Sequence, residues 1–162
     1  MLQTVPPKVT FKRATYSDAP YIVALCKELH SLGSYRHIEF DYQYTLNFVR
    51  NACSSTDWYV MGAIDEGGTY VGFVAGMLCP MVFTTRRIGI EHAWYVREGT
   101  PGRGRTAKRL MQGFVDWCIM EKGAMHVQAG DVANINSVAV DGLYRLLKFK
   151  RAGTIYMYKE TE

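Results

Sequence analysis

Tyr95-Val96-Arg97-Glu98-Gly99-Thr100-Pro101-Gly102-Arg103-Gly104-Arg105-Thr106-Ala107 is the stretch on which the reading turns. A run rich in aromatic and β-branched residues, Ile88 to Arg97, reads as a strand that ends inside it. A basic, glycine-containing loop follows from Glu98 to Arg105. A helix leaves that loop at once, with Ala107, Leu110, Met111, Phe114 and Cys118 spaced to share an inner face. The first amides of a helix have no partner within it, and the helix dipole adds partial positive charge there. Such an end binds phosphate well. Five basic residues and one acidic residue lie between Arg97 and Arg109, so much of the excess positive charge sits in this stretch.

Neither G-x-x-x-x-G-K-[ST] nor G-x-G-x-x-G is present, so a nucleotide-triphosphate loop and a dinucleotide fingerprint are unsupported. A polyanion with a pyrophosphate and a ribose phosphate, such as coenzyme A, suits the loop. A plain solvated basic turn is the competing reading of the loop taken alone.

Outward from the loop the pattern stays regular. Val9 to Arg13 alternates as a half-buried strand. Ser17-Asp18-Ala19-Pro20 opens a helix, an oxygen-bearing cap preceding a proline in the first turn, where its missing N–H matters little. Ile22, Leu25, Cys26 and Leu29 continue it as one apolar stripe, and Ser31-Leu32-Gly33-Ser34 ends it. A second helix is expected over Asp41 to Ala52. Trp58–Ile64 and Thr69–Ala75, joined by Asp65-Glu66-Gly67-Gly68, read as a hairpin. Met125 to Ala129 reads as a strand, and Asn136 to Leu147 as a helix with Val140, Leu143, Tyr144 and Leu147 on one side. Thr154 to Lys159 is expected to close the chain as a strand. Helices interspersed with a largely antiparallel sheet make an α+β domain, and no linker or repeat divides residues 1–162.

Composition agrees. The chain has 162 residues, 48% hydrophobic and 21% charged, which is globular rather than disordered. Its net charge of +4 favours an anionic ligand but does not announce a nucleic-acid binder. Cys26, Cys53, Cys79 and Cys118 show neither a disulfide framework nor metal-ligand spacing, so reduced thiols and no metal are expected. Met1–Pro7 has no signal-peptide pattern, and Tyr70–Phe83 is broken by Gly72, Gly76 and Pro80. A soluble, cytoplasmic protein with no membrane partner is expected.

The succession Trp94-Tyr95-Val96-Arg97, the Gly/Arg loop, then Leu110-Met111 and Trp117 resembles motif A of the GNAT N-acetyltransferase superfamily. It is most similar to small members often met on bacteriophage genomes. Val140-Asp141-Gly142-Leu143-Tyr144-Arg145-Leu146-Leu147-Lys148-Phe149 is similar to the family's motif B helix. Phe11-Lys12-Arg13-Ala14-Thr15 through Asp18-Ala19 resembles its first strand and helix. Two departures stand out. Gly102, Arg105 and Ala107 occupy the places of the usual Arg/Gln-x-x-Gly-x-Gly/Ala, and only the last fits. Lys148 replaces the glycine of motif B.

The resemblance implies a GNAT-like mixed, largely antiparallel sheet flanked by helices. It also implies direct transfer of an acetyl group from acetyl-coenzyme A to an amine in a ternary complex. Such a transfer needs a base for the amine, stabilisation of the oxyanion, and a proton for the departing thiolate. The strand end at Tyr95, Val96 and Arg97 and the turn Gly102, Arg103, Gly104, Arg105, Thr106, Ala107 and Lys108 are the implied cofactor contacts. Tyr144 is the implied general acid. Glu91 is the candidate base, and strict alternation would put it on one face with Ala93 and Tyr95 and turn His92 the other way. Substrate contacts are expected from the loop that holds Tyr35, Arg36 and His37, facing an anionic or aromatic acceptor. Asn134 and Asn136 are expected as helix caps, and Trp58, Trp94 and Trp117 as core. Dimers are common for small folds of this type. The alternative is a non-catalytic module of this fold that binds a protein or nucleic acid. Purely electrostatic nucleic-acid binding ranks last, because no aromatic residue interleaves the basic cluster.

Overall fold

A computed structural model describes residues 8–153. Met1–Pro7 and the strand expected over Thr154–Lys159 lie outside them. The element order is β1 (Thr10–Arg13), α1 (Ala19–Leu32), α2 (Tyr42–Ser54), β2 (Trp58–Ile64), β3 (Tyr70–Met81), β4 (Thr84–Val96), α3 (Arg103–Asp116), β5 (Val127–Gln128) and α4 (Ser137–Leu146). The five strands form one sheet in sequence order. Every neighbouring pair is antiparallel except β4 with β5, which is parallel. The α+β architecture expected from the sequence is the one observed.

Period-2 alternation gives the sheet two apolar faces, and each carries helices. Leu110, Met111 and Phe114 of α3 pack on Tyr59, Val74, Leu78 and Val96. Ile22 and Leu25 of α1, with Leu46 and Val49 of α2, cover Val60, Phe73 and Tyr95 on the other face. Past α3 the chain makes a single π-helical turn, Trp117–Glu121, which buries Cys118. A Cβ on Gly89 of β4 would collide with the Cys118 sulfur, so this close approach requires glycine. The four cysteines are free thiols, and no cluster with metal-binding potential occurs among the described residues.

Two local expectations change. The Asp18 carboxylate does not cap α1. It accepts from Thr15 N at 2.8 Å and Thr15 Oγ at 2.7 Å and pairs with Lys12 Nζ at 2.8 Å, closing the preceding turn instead. The apolar run Tyr70–Phe83 is one long strand plus a tight turn at Val82-Phe83, since pairing persists through Pro80↔Arg87 and Met81↔Thr84. Among the described residues no helix is long and apolar enough to cross a membrane.

Candidate active site

β5 pairs with β4 only at Gly89↔Val127 and Ile90↔Gln128. Beyond that point the two chains part, and a cavity of about 430 Å³ opens between them. Glu91 and Trp94 of β4 line one wall, Gly130 and Asp131 the other, and Tyr144 of α4 its flank.

The register of β4 sets what reaches this cavity. Gly76 of β3 opposes Glu91 while Ala75 opposes Ala93, so His92 has no partner in the ladder: a β-bulge. The extra residue flips the faces on either side of it. Ala93 and Tyr95 pack with the α1–α2 layer. Gly76, and with it Glu91, looks toward Phe114 and the α3–α4 layer. The expected common face of Glu91, Ala93 and Tyr95 is therefore corrected by the bulge, since strict alternation fails across an inserted residue. His92 shares the α1–α2 side instead, with its ring 5.0 Å from Trp58.

Glu91 Oε2 accepts from the Gly130 amide at 3.4 Å, and Tyr144 Oη donates to the Gly130 carbonyl at 3.2 Å. Desolvation pushes the Glu91 carboxyl up to about 7, the Gly130 amide draws it partly back, and the Asp131 charge adds to the rise. Burial, then the charges of Glu91 and Asp131, raise the Tyr144 phenol. Its ring lies 5.4 Å from Trp94 and 5.2 Å from Phe149. Trp94 in turn donates Nε1–H to Ala107 O at 3.1 Å, tying β4 to α3. Trp94 is thus part of the site as well as of the core. Gly130 and Asp131 carried no signal in the sequence beyond following a short strand.

The basic loop lies beyond the end of β4. Gly102 caps α3 in the left-handed region, with φ 67° and ψ 28°. Arg103 N and Thr106 N find Thr100 O and Gly102 O, each at 3.0 Å. Among the described residues the amides of Gly104 and Arg105 have no backbone acceptor. Gly104, Arg105 and Lys108 are exposed, whereas the side chains of Thr106 and Ala107 are buried and leave only backbone to offer. Arg103 Nε reaches back to Val96 O at 2.9 Å. Arg97 turns away to the α1 layer, where Nε and Nη2 grip the Glu28 carboxylate at 3.0 and 2.6 Å and Tyr95 Oη joins at 3.4 Å.

Of the α1–α2 loop, Tyr35 lines the cavity while Arg36 and His37 do not. His37 Nδ1 lies 3.0 Å from Ser34 O. Ser34 N and Oγ donate to Ala133 O at 3.0 and 3.1 Å, stitching this loop to the β5–α4 segment. Asn136 caps α4 through Ala139 N at 3.3 Å, and Asn134 accepts from Ser137 Oγ at 2.6 Å.

No protein-family model matches the sequence, and no curated protein sequence matches it. Solved structures do. A ribosomal-protein-alanine N-acetyltransferase from Brucella melitensis biovar Abortus 2308 superposes with TM-score 0.70 at 19% identity, covering 94% of this chain and 99% of that one. An aminoglycoside N-acetyltransferase in complex with coenzyme A gives TM-score 0.74 at 14% identity, covering 98% and 99%. An aminoglycoside 6′-N-acetyltransferase from Acinetobacter baumannii gives 0.71 at 13%, covering 96% and 99%. The fold is that of the GNAT N-acetyltransferases. Lys148, where the sequence resemblance expects glycine, has φ 64°, a left-handed conformation that favours glycine.

Proposed function

We propose that the chain is an acetyl-coenzyme A-dependent N-acetyltransferase that passes the acetyl group directly to a bound amine. The observation that carries this reading is the placement of Glu91 and Tyr144 on one cavity where β4 and β5 separate. The same strand leads into a helix start with two orphan amides. Those amides, Gly104 N and Arg105 N, with the exposed Arg105 and Lys108, fit a pyrophosphate. Left-handed Gly102 lets the backbone turn close to it. Coenzyme A would supply the acetyl group as an activated thioester.

The chain's residues have separable tasks. Glu91, with a carboxyl near 7, accepts a proton from the acceptor's ammonium close to neutral pH. Tyr144 keeps its proton at Oη across the physiological range, because its phenol is shifted upward; its single O–H turns from the Gly130 carbonyl to protonate a leaving thiolate. The Gly130 peptide orients both groups. Beyond Ile90 the edge of β4 toward β5 has no strand partner among the described residues, so a backbone N–H there can polarise a carbonyl. Arg97 is engaged by Glu28 and shapes the strand end rather than contacting the ligand.

The test has two parts. Thermal denaturation with acetyl-coenzyme A at 100 times its dissociation constant should show a gain of about 2.7 kcal/mol. Thiol release with a panel of amines should then be detectable and should fall in Tyr144→Phe. Binding without thiol release would leave the non-catalytic module. No binding at millimolar ligand removes the cofactor reading.

A further inference from the structure

The cavity between β4 and β5 is lined by two kinds of residue. Glu91 and Asp131 are its acidic members among the described residues, while Leu29, Tyr35, Val132 and Ala133 add apolar and aromatic surface. His30 and His92 also face it, each backed by an aromatic ring, Phe40 at 5.3 Å and Trp58 at 5.0 Å. Burial lowers the His92 pKa, so this imidazole is neutral at pH 7. Among the described residues no lysine or arginine lines the cavity, so an acidic acceptor finds no counter-charge. Arg36, the basic residue of the neighbouring loop, stands outside.

We infer that the acceptor is a primary monoamine carried on an apolar, flat body, such as an arylalkylamine. This rests on the acetyltransferase reading above. Glu91 is occupied as base, which leaves Asp131 as the other carboxylate among the described lining residues; its Oδ1 accepts from Asn134 N at 3.1 Å, and its second oxygen remains to pair with an ammonium group. A second or third ammonium would find no further carboxylate among the described lining residues, and an unpaired charge in such a cavity is strongly disfavoured. A flat ring is welcomed by the Tyr35, His30 and His92 rings, which prefer stacked or edge-on aromatic contacts. The volume, about 430 Å³, is near the lower end of small-ligand sites, roughly 300–1,000 Å³, and suits a small acceptor.

The experiment pairs two readouts on the full chain. Coenzyme A binding is followed by thermal shift. Initial rates of thiol release are compared for 2-phenylethylamine, spermidine, kanamycin and an alanine-initiated tetrapeptide. The expected result is kcat/KM for 2-phenylethylamine higher than for each of the others by roughly tenfold or more. Asp131→Asn and Tyr35→Ala should each raise KM for 2-phenylethylamine by roughly tenfold with coenzyme A affinity unchanged. Preference for kanamycin, spermidine or the peptide overturns the inference, as does coenzyme A binding with no amine turned over. Absence of coenzyme A binding overturns the acetyltransferase reading instead, so the two failures are distinct.

Discussion

Glu91 and Tyr144 are joined through the two polar atoms of a single residue, Gly130. The carboxylate accepts from its N–H at 3.4 Å while the phenol donates to its carbonyl at 3.2 Å. Residues on β4 and α4, far apart in sequence, are thereby fixed at one height of the cavity. The carboxylate keeps a free oxygen, whereas the phenol's single O–H is held by the Gly130 carbonyl and must turn from it to reach a leaving group.

The first prediction concerns pH. With its carboxyl near 7, Glu91 is protonated in mildly acid solution and cannot act as base. The rate kcat/KM should therefore rise with pH to a plateau above 7, and Glu91→Gln should remove that limb and lower the plateau roughly 100-fold. Stability should run the opposite way. An unfolded glutamate releases its proton near 4.5, whereas the folded chain retains it to about 7. The associated stability is full below the lower value and is lost as pH rises through the upper one. Glu91→Gln should accordingly be more stable than the parent at pH 8, by roughly 1–3 kcal/mol, as measured by urea unfolding. A flat pH–rate profile from 5 to 8 would count against Glu91 as base.

Tyr144→Phe separates proton donation from packing. The ring contacts with Trp94 and Phe149 survive the substitution, and the hydroxyl bond to Gly130 is lost. That loss should lower stability by roughly 0.5–1.5 kcal/mol, while kcat falls roughly 100-fold. The dissociation constant for coenzyme A should stay unchanged in calorimetry. Equal loss of kcat and of cofactor affinity would make Tyr144 a packing residue only.

Much of the fold was legible in the sequence because it rests on local pattern. The inner face Ala107, Leu110, Met111, Phe114 is buried as its spacing implies, and the glycine turn of the β2–β3 hairpin lies where Asp65-Glu66-Gly67-Gly68 put it. The site was less legible because its geometry comes from non-local events. A bulge is a mismatch between two strands, and nothing in Glu91-His92-Ala93 alone reveals that Ala75 and Gly76 skip a residue. Gly130 serves through backbone atoms, which carry no side-chain signal. Arg97 is an expected cofactor contact by resemblance, and that its guanidinium is held by Glu28 of a distant helix is not readable from the sequence.

Arg97 and Gly102 should therefore behave differently when changed. Arg97→Gln breaks a half-exposed bidentate pair and should cost about 1 kcal/mol in stability with coenzyme A affinity near that of the parent. Gly102→Ala forces a Cβ into the left-handed region at φ 67°, disfavoured by roughly 1–2 kcal/mol. It also meets the Arg105 guanidinium at 3.3 Å. Its signature is weaker coenzyme A binding, by roughly tenfold, in the same titration. The reverse pattern would move the phosphate contact from the α3 turn to the strand end.

Lys148 offers a gain rather than a loss. It follows α4 in a Schellman arrangement: Phe149 N bonds Tyr144 O at 2.9 Å and Lys148 N bonds Arg145 O at 3.0 Å. The accompanying apolar contact is the Tyr144–Phe149 ring pair. The position needs a positive φ, and lysine adopts 64° there against its own steric preference. Glycine relieves roughly 1–2 kcal/mol of that strain but loses roughly 0.5–1 kcal/mol through the greater freedom of the unfolded chain. Lys148→Gly should thus stabilise the protein by roughly 0.5–1 kcal/mol, the difference between those terms. The ring that Phe149 holds belongs to Tyr144, so firmer closure of this turn should leave kcat equal or higher. A fall in midpoint on urea unfolding would show that the lysine side chain makes compensating contacts.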